Sequence, residues 1–230
     1  VVETHKIYRS FFLAADSPKA FLSYWKVSGR DKALELLKKD WGQDPNYELL
    51  VRVFKEWRVR IYQRHLRILK TSKEAKIPVY LRDKKMYAYV RSMVQTGRLR
   101  PMLTNLIDKT GMKGLGEASK KLNIPVRILY LSNAQEYWNY PQEFRDNIAA
   151  MNFDETSYVL HTLSTWSVNK DYRYVLQKGQ NFQKWMTKPW AKKVYFVVPR
   201  RKLEGPEDID FIELKRDADK VERWRNRRVK

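Results

Sequence analysis

The run VRILYL, Val126 to Leu131, is the feature that most constrains the fold. Apart from Arg127, every residue in it suits a buried strand. A continuous apolar run of this kind belongs to a strand covered on both faces, as in a parallel sheet. Strand-like and helix-like segments alternate around it. IPVYL (77–81), RPMLTNLI (100–107), SYVLHTLS (157–164), YRYVLQ (172–177) and KKVYFVVP (192–199) read as further strands. Between them, Lys84 to Thr96 reads as a helix with Met86, Tyr89, Val90 and Met93 inward and Gly97 after its end. KGLGEASKKL (113–122) reads as a helix with Leu115, Ala118 and Leu122 inward. Pro141 to Met151 reads as a helix with Phe144 and Ile148 inward, and Phe182 to Thr187 as a short one. Strands alternating with helices of this length predict crossover units and a largely parallel α/β sheet.

The first third of the chain is different. Val1, His5, Tyr8 and Phe12 recur at helical spacing, so the sequence begins inside or just before a helix, as a mature form or a fragment would. Ser17-Pro18 is a helix start, with Ser17 as cap and Pro18 at the first helical position. Phe21, Leu22 and Trp25 share the next face, and Gly29 ends that helix. Asp31 to Lys39 is a short helix with Leu34 and Leu37 inward, followed by the turn cluster WGQDPNY. From Asn46, the residues Leu50, Phe54, Trp57, Ile61, His65 and Ile68 keep a 3-4-3 spacing over about six turns. The expected organisation is a helical segment (1–76), an α/β domain (77–214) and a basic tail (215–230).

The 230 residues carry 47 basic and 26 acidic side chains, a net charge of +21. Such a balance attracts polyanions: nucleic acid, anionic lipid or an acidic envelope polymer. The charge is spread along the chain, and a solvated basic surface accounts for it equally well. Arg60, Arg64 and Arg67 lie together beside the long apolar stripe. Basic and aromatic residues mix in YQRHLRILK (62–70) and WRNRRVK (224–230), a combination suited to single-stranded nucleic acid, without the signature of a known binding module. The absence of cysteine excludes disulfides, thiolate zinc sites, iron–sulfur clusters and a thiol nucleophile. It leaves cytoplasm and periplasm equally open. No apolar run reaches the length of a membrane span.

In an open parallel sheet, ligands sit beyond the carboxyl ends of the strands. That rule selects three polar tips: Ser132, Asn133 and Glu136; Thr104, Asn105 and Asp108; and Ser164 and Thr165 with Trp166. Asn and Thr can bind hydroxyls or a ribose, and Asp or Glu can accept from a sugar hydroxyl or an amine. Trp138 can stack on an adenine. Asn133 and Glu136 also have the spacing of a capping box, which explains their polarity without a ligand. GMKGLGEA (111–118) matches neither the dinucleotide nor the P-loop pattern and reads as a helix start with small residues for close packing. His5, His65 and His161 fall in separate elements, and His161 lies within a strand as a buried, hydrogen-bonded residue. No metalloprotease pair or nucleophile elbow occurs, and no acid–base pair is evident.

The run from Met86 through YLSNAQEYW (130–138), with FRDNI and DETS (144–157), is similar to a family of uncharacterised bacterial proteins. These have a core like that of SAM-dependent methyltransferases. The likeness covers about Met86 to Trp166. It implies a Rossmann-like, methyltransferase-like sheet. It also implies SAM as a cofactor, with Asn105, Asp108, Asn133, Glu136 and Trp138 at the tips that would face it. A cofactor-type first strand and glycine-containing turn are implied upstream; they are absent from this sequence and are expected on an upstream segment or a second chain. The functional expectation is a methyltransferase-like domain, part of a larger or two-part protein. The alternative is a polyanion-binding protein acting through its basic surface.

Overall fold

The computed structural model describes residues 2–164, 172–198, 210–213 and 216–228. The chain forms two compact units, Val1–Leu103 and Thr104–Lys230.

The first unit is helical. It comprises α1 (Val2–Ala14), α2 (Pro18–Ser23), α3 (Arg30–Trp41), the 28-residue α4 (Tyr47–Glu74) and α5 (Lys84–Gln95). Apolar side chains at three- and four-residue intervals fill its core: Ile7 and Phe11 from α1, Phe21 from α2, Ala33 and Leu37 from α3, Leu50 and Phe54 from α4. Aromatic rings dominate it. Phe12 stacks on Phe21 at 4.5 Å, Phe11 stacks on Tyr24 at 4.8 Å, and Trp25 meets Phe11 edge-on at 5.0 Å. Ser17 caps α2 as expected, its Oγ accepting from the Ala20 N–H at 3.3 Å with Pro18 at the first helical position. Asp83 caps α5 through the Met86 N–H at 2.9 Å. Gly97, at φ +66°, ends α5: its N–H bonds the Val94 carbonyl and the Arg98 N–H bonds the Met93 carbonyl. This paired closure needs a left-handed residue, which glycine supplies without strain.

Residues 77–103 belong to this helical unit. The expected strand at 77–81 is instead the turn into α5, where Leu81 is buried and the Arg82 and Asp83 N–H groups both bond the Val79 carbonyl. Pro78 has no N–H to give a ladder. The inward face of α5 is also rotated from expectation. Tyr87 and Val94 are buried, whereas Met86 and Tyr89 are exposed.

The second unit contains α6 (Gly111–Lys121), β1 (Ile128–Tyr130), α7 (Gln142–Ala150), β2 (Tyr158–Ser164), β3 (Tyr172–Lys178), α8 (Gly179–Met186), α9 (Val194–Val197), β4 (Asp210–Glu213) and α10 (Ala218–Arg228). Its sheet runs β1-β2-β3-β4 in chain order. β1 is parallel to β2, β2 antiparallel to β3, and β3 parallel to β4. The longest pairing is the antiparallel one, seven residues from Tyr158↔Lys178 to Ser164↔Tyr172.

The expectation of a mostly parallel, Rossmann-like (methyltransferase-like) sheet is therefore wrong. Three of the six expected strands do not form. The 77–81 run is a turn. The 100–107 run is irregular: Pro101 lacks a donor, and Met102 and Leu103 are exposed. The 192–199 run holds the helical turn α9, with Val194 and Val197 fully buried three residues apart. A short apolar run has no period of its own, and tertiary burial decides which element it joins. VRILYL is not a central strand either. β1 is a three-residue edge strand, with Ile128 66% and Tyr130 54% exposed.

The core of this unit lies where α7, α8 and α9 pack on the sheet, around Phe144, Ile148, Val159, Val175, Phe182 and Trp185. Gly116 of α6 passes so close to the end of α7 that a Cβ would lie 2.4 Å from the Ala150 carbonyl oxygen. The inward residues of α6 are Met112 and Gly116, while Leu115, Ala118 and Leu122 are exposed. The basic C-terminal segment is helical and docked. Ala218 is fully buried, its N–H bonds Asn181 Oδ1, and Lys188 pairs with Asp219 at 2.8 Å and Glu222 at 2.6 Å.

Candidate functional site

Most described residues expected at a strand tip are bonded within the fold; the exception is Thr104, whose buried hydroxyl has no hydrogen-bond partner among the described residues. Glu136 ends a 3-10 turn, Ala134–Glu136, that follows β1. Its Oε2 accepts from the Ser164 N–H at 3.0 Å and the Ser164 hydroxyl at 2.7 Å; its Oε1 accepts from the Tyr195 hydroxyl at 2.6 Å. The carboxylate thus fastens the turn to the end of β2 and to α9. Asn133 makes no side-chain cap, and its amide donates to the Tyr137 hydroxyl at 3.3 Å. The capping box does not form, because Glu136 faces three donors from β2 and α9. Trp138 packs against the second core and meets Phe144 edge-on at 6.2 Å, and its indole N–H is buried without a partner.

The other expected tip is a structured loop. Asn105 Oδ1 accepts from the Ile107 N–H at 3.2 Å. Asp108 Oδ1 accepts from the Thr110 and Gly111 N–H groups at 3.0 and 3.1 Å, and these bonds hold its carboxyl below the ordinary range. Asn147 clamps the loop by donating to the Leu106 and Asp108 carbonyls at 3.1 and 2.8 Å. Of the third tip, Ser164 is held by Glu136, and Thr165 and Trp166 lie outside the described residues. The structure joins Glu136 to Ser164; no described contact brings Asn105 or Asp108 to them. The SAM-site expectation presupposed a mostly parallel sheet; the sheet has one parallel pair, β1 and β2, among the strands whose ends carry these residues, and there Glu136 bonds Ser164.

A buried polar chain, only one member of which sequence reasoning singled out, crosses the second unit. The Tyr140 hydroxyl donates to Gln135 Oε1 at 2.8 Å, Gln135 Nε2 to His161 Nδ1 at 2.9 Å, and His161 Nε2 to Gln177 Oε1 at 3.0 Å. This order of donors makes His161 the neutral Nε2–H tautomer. Burial pushes its pKa down to about 4, against the opposing pull of the Gln177 acceptor. Gln135, His161 and Gln177 are all fully buried, so the chain holds the sheet to the turn after β1. His161 was visible as a polar residue on the inward side of a strand. Gln135 and Gln177 carry no comparable signal, since only tertiary pairing makes them its partners.

The chemistry that remains exposed lies on α4. Between Trp57 and Lys73 there are six basic residues and no acidic one. Trp57, Arg60, Arg64 and Arg67 follow at three- and four-residue steps, with Ile68 four residues beyond Arg64, so they form one stripe along the helix. Arg60, Arg64 and Arg67 are exposed and form no ion pair among the described residues. Elsewhere, many basic side chains are committed. Arg91 bonds the Phe12 and Leu13 carbonyls at 3.0 Å each, and Arg145 bonds the carbonyls of Tyr140, Met186, Lys188 and Ala191. Trp57 is 41% exposed; the Arg60 guanidinium stands 5.1 Å from its ring centroid. On the buried side of the same helix, His65 sits among Tyr8, Phe21 and Trp25 and bonds the Tyr8 hydroxyl at 3.2 Å. Burial, with the Arg64 charge adding, lowers its pKa to about 4, so this histidine is a neutral core residue.

The first unit holds 23 basic and 10 acidic residues, net +13; the second holds 24 and 16, net +8. Among the described residues no group of three His, Asp or Glu could hold a metal ion. No helix among them is long and apolar enough to cross a membrane.

Comparison with curated proteins finds no match. Residues 1–215 match a family model described as "Domain of unknown function (DUF7790)", which spans both units. The chain belongs to that family.

Proposed function

We propose that the chain binds nucleic acid and that the α4 stripe of Arg60, Arg64 and Arg67 is its contact surface. The observation that carries this reading is that three exposed guanidiniums stand on one stripe with no carboxylate partner, in the more basic of the two units. Free guanidiniums match phosphate oxygens as planar forks, which favours a phosphate polymer over a generic counter-charge. The methyltransferase-like reading depended on a sheet that the fold does not contain.

The test is titration of the full chain with a labelled mixed-sequence duplex and a labelled single strand between 50 and 200 mM salt. Affinity for both should fall steeply with salt as condensed counterions are released. The variant R60E/R64E/R67E should lose at least about tenfold at 50 mM salt, since reversing each contact removes a phosphate partner and adds repulsion. Absence of binding at 50 mM salt, or equal binding by the variant, would reject the proposal.

A further inference from the structure

Trp57 is not one of the buried residues of the first unit's core. It is 41% exposed and makes no ring–ring contact among the described residues. Its described neighbour is a cation, the Arg60 guanidinium at 5.1 Å. Arg64, seven residues on, lies on almost the same line of the helix, and Ile68 extends the line a further turn, about 16 Å from Trp57 along the axis. A large ring held among unpaired guanidiniums is a combination suited to an unstacked base beside its own phosphates. A base inside a duplex is stacked on both faces and does not reach a ring on a helix surface.

We infer that the α4 surface is selective for single-stranded nucleic acid, with Trp57 as the stacking platform and Arg60, Arg64 and Arg67 on the adjoining phosphates. This rests on the nucleic-acid reading above and narrows it. The guanidinium of Arg60 keeps the ring in an exposed, cation-backed position, where a base can lie against the indole while Arg60 turns to phosphate. A lipid surface fits the stripe less well. The exposed apolar residues of α4 are divided, with Trp57 and Ile68 on one flank and Val59 and Leu66 on the other, and basic residues lie between them. No continuous apolar face is left to sink into a bilayer.

The experiment uses the full chain, 20-nucleotide oligo(U) and oligo(dT), a 20-base-pair duplex and phosphatidylserine-containing vesicles, at 50 mM salt. W57A should weaken binding of both single strands about tenfold, as expected for one lost stacking contact, and leave duplex binding within twofold. W57F, which keeps a ring, should recover most of the loss. The variant R60A/R64A/R67A should weaken every oligonucleotide and flatten the salt dependence. Circular dichroism melting checks that each variant is folded, and W57L, which keeps apolar bulk without a ring, carries the test if W57A is not. If W57A, or W57L in its place, binds single strands like the parent while the triple variant does not, the stacking inference is overturned and the electrostatic reading stands. If no oligonucleotide binds the parent chain, the nucleic-acid reading itself falls. Binding to the vesicles alone overturns both.

Discussion

The helical unit buries three polar or charged side chains among its described residues, Ser10, His65 and Ser72, whereas the sheet unit buries seven, including Gln135, Asn147, His161 and Gln177. Backbone accounting explains the contrast. A helix satisfies its own N–H and C=O groups except at its ends, so the first unit needs side-chain bonds mainly at termini: Ser17, Asp83, and Arg91 on the last carbonyls of α1. The second unit is stitched from short elements and long irregular connections whose carbonyls have no regular partner. Arg145 takes four of them, Asn147 two, and Gln183 bonds those of Ile148 and Met151. The lesson concerns charge as well. In the sheet unit Arg145, Lys188 and Arg127 are paired within the unit, while α4 leaves Arg60, Arg64 and Arg67 to solvent.

Four perturbations would break or sharpen this contrast. The largest effect is expected from Phe144→Ala. The ring is fully buried, stacks on Tyr140 at 5.0 Å and touches Trp138 and Phe182 edge-on, so its loss should cost about 3–5 kcal/mol. Hydrogen exchange should report the damage first in residues 104–230; equal loss of protection in residues 2–103 would show that the two cores are not separate folding units.

Acid comes next. His161 protonates near 4 in the folded chain and near 6.5 when unfolded. Between those values the unfolded state holds more protons, so stability is full above pH 6.5, falls as the pH drops, and levels off below 4. The loss amounts to about 3 kcal/mol. Urea titrations at pH 7 and pH 4.5 should show it, and His161→Gln should flatten the dependence reported by residues 104–230. An unchanged slope in that variant would assign the acid sensitivity elsewhere, with His65 the next candidate.

Gln135→Ala should cost about 2 kcal/mol, because it strands the Tyr140 hydroxyl and His161 Nδ1 in the core. A loss under about 0.5 kcal/mol by chemical denaturation would mean that water or a neighbour takes over both groups. The smallest effect is a gain. Lys76 closes α4 at φ 54°, a conformation that glycine adopts freely, and Lys76→Gly should stabilise the first unit by about 0.5–1 kcal/mol. A destabilised variant would show that the Lys76 side chain contributes more than its backbone strain costs.

The helices were largely legible, and the sheet was not. The Ser17 cap, the Gly97 stop and the burial of Leu50, Phe54 and His65 each have a local cause and could be read from the sequence, but Trp57 and Ile68 of the same expected stripe are exposed. The inward faces of α5 and α6 could not, because both helices carry apolar residues on more than one side and packing chose between them. Of the expected site, Glu136 and Ser164 do meet, but as an anchor within the fold. Gln135 and Gln177 were invisible because hydrogen-bond partners 26 and 16 residues from His161 leave no local pattern. The exposed arginines of α4 were visible from spacing alone; that they lack carboxylate partners was not.

By itself the sequence determined what local chemistry decides: helix caps, helical periodicity, the basic balance and the exclusion of thiol chemistry. Only the tertiary structure decided which short apolar runs became strands, which faces went inward, and which polar residues became anchors. Those outcomes depend on partners distant in the chain. A run such as KKVYFVVP becomes a buried helical turn because its valines fit one side of a core assembled from other elements, and nothing within the run encodes that choice.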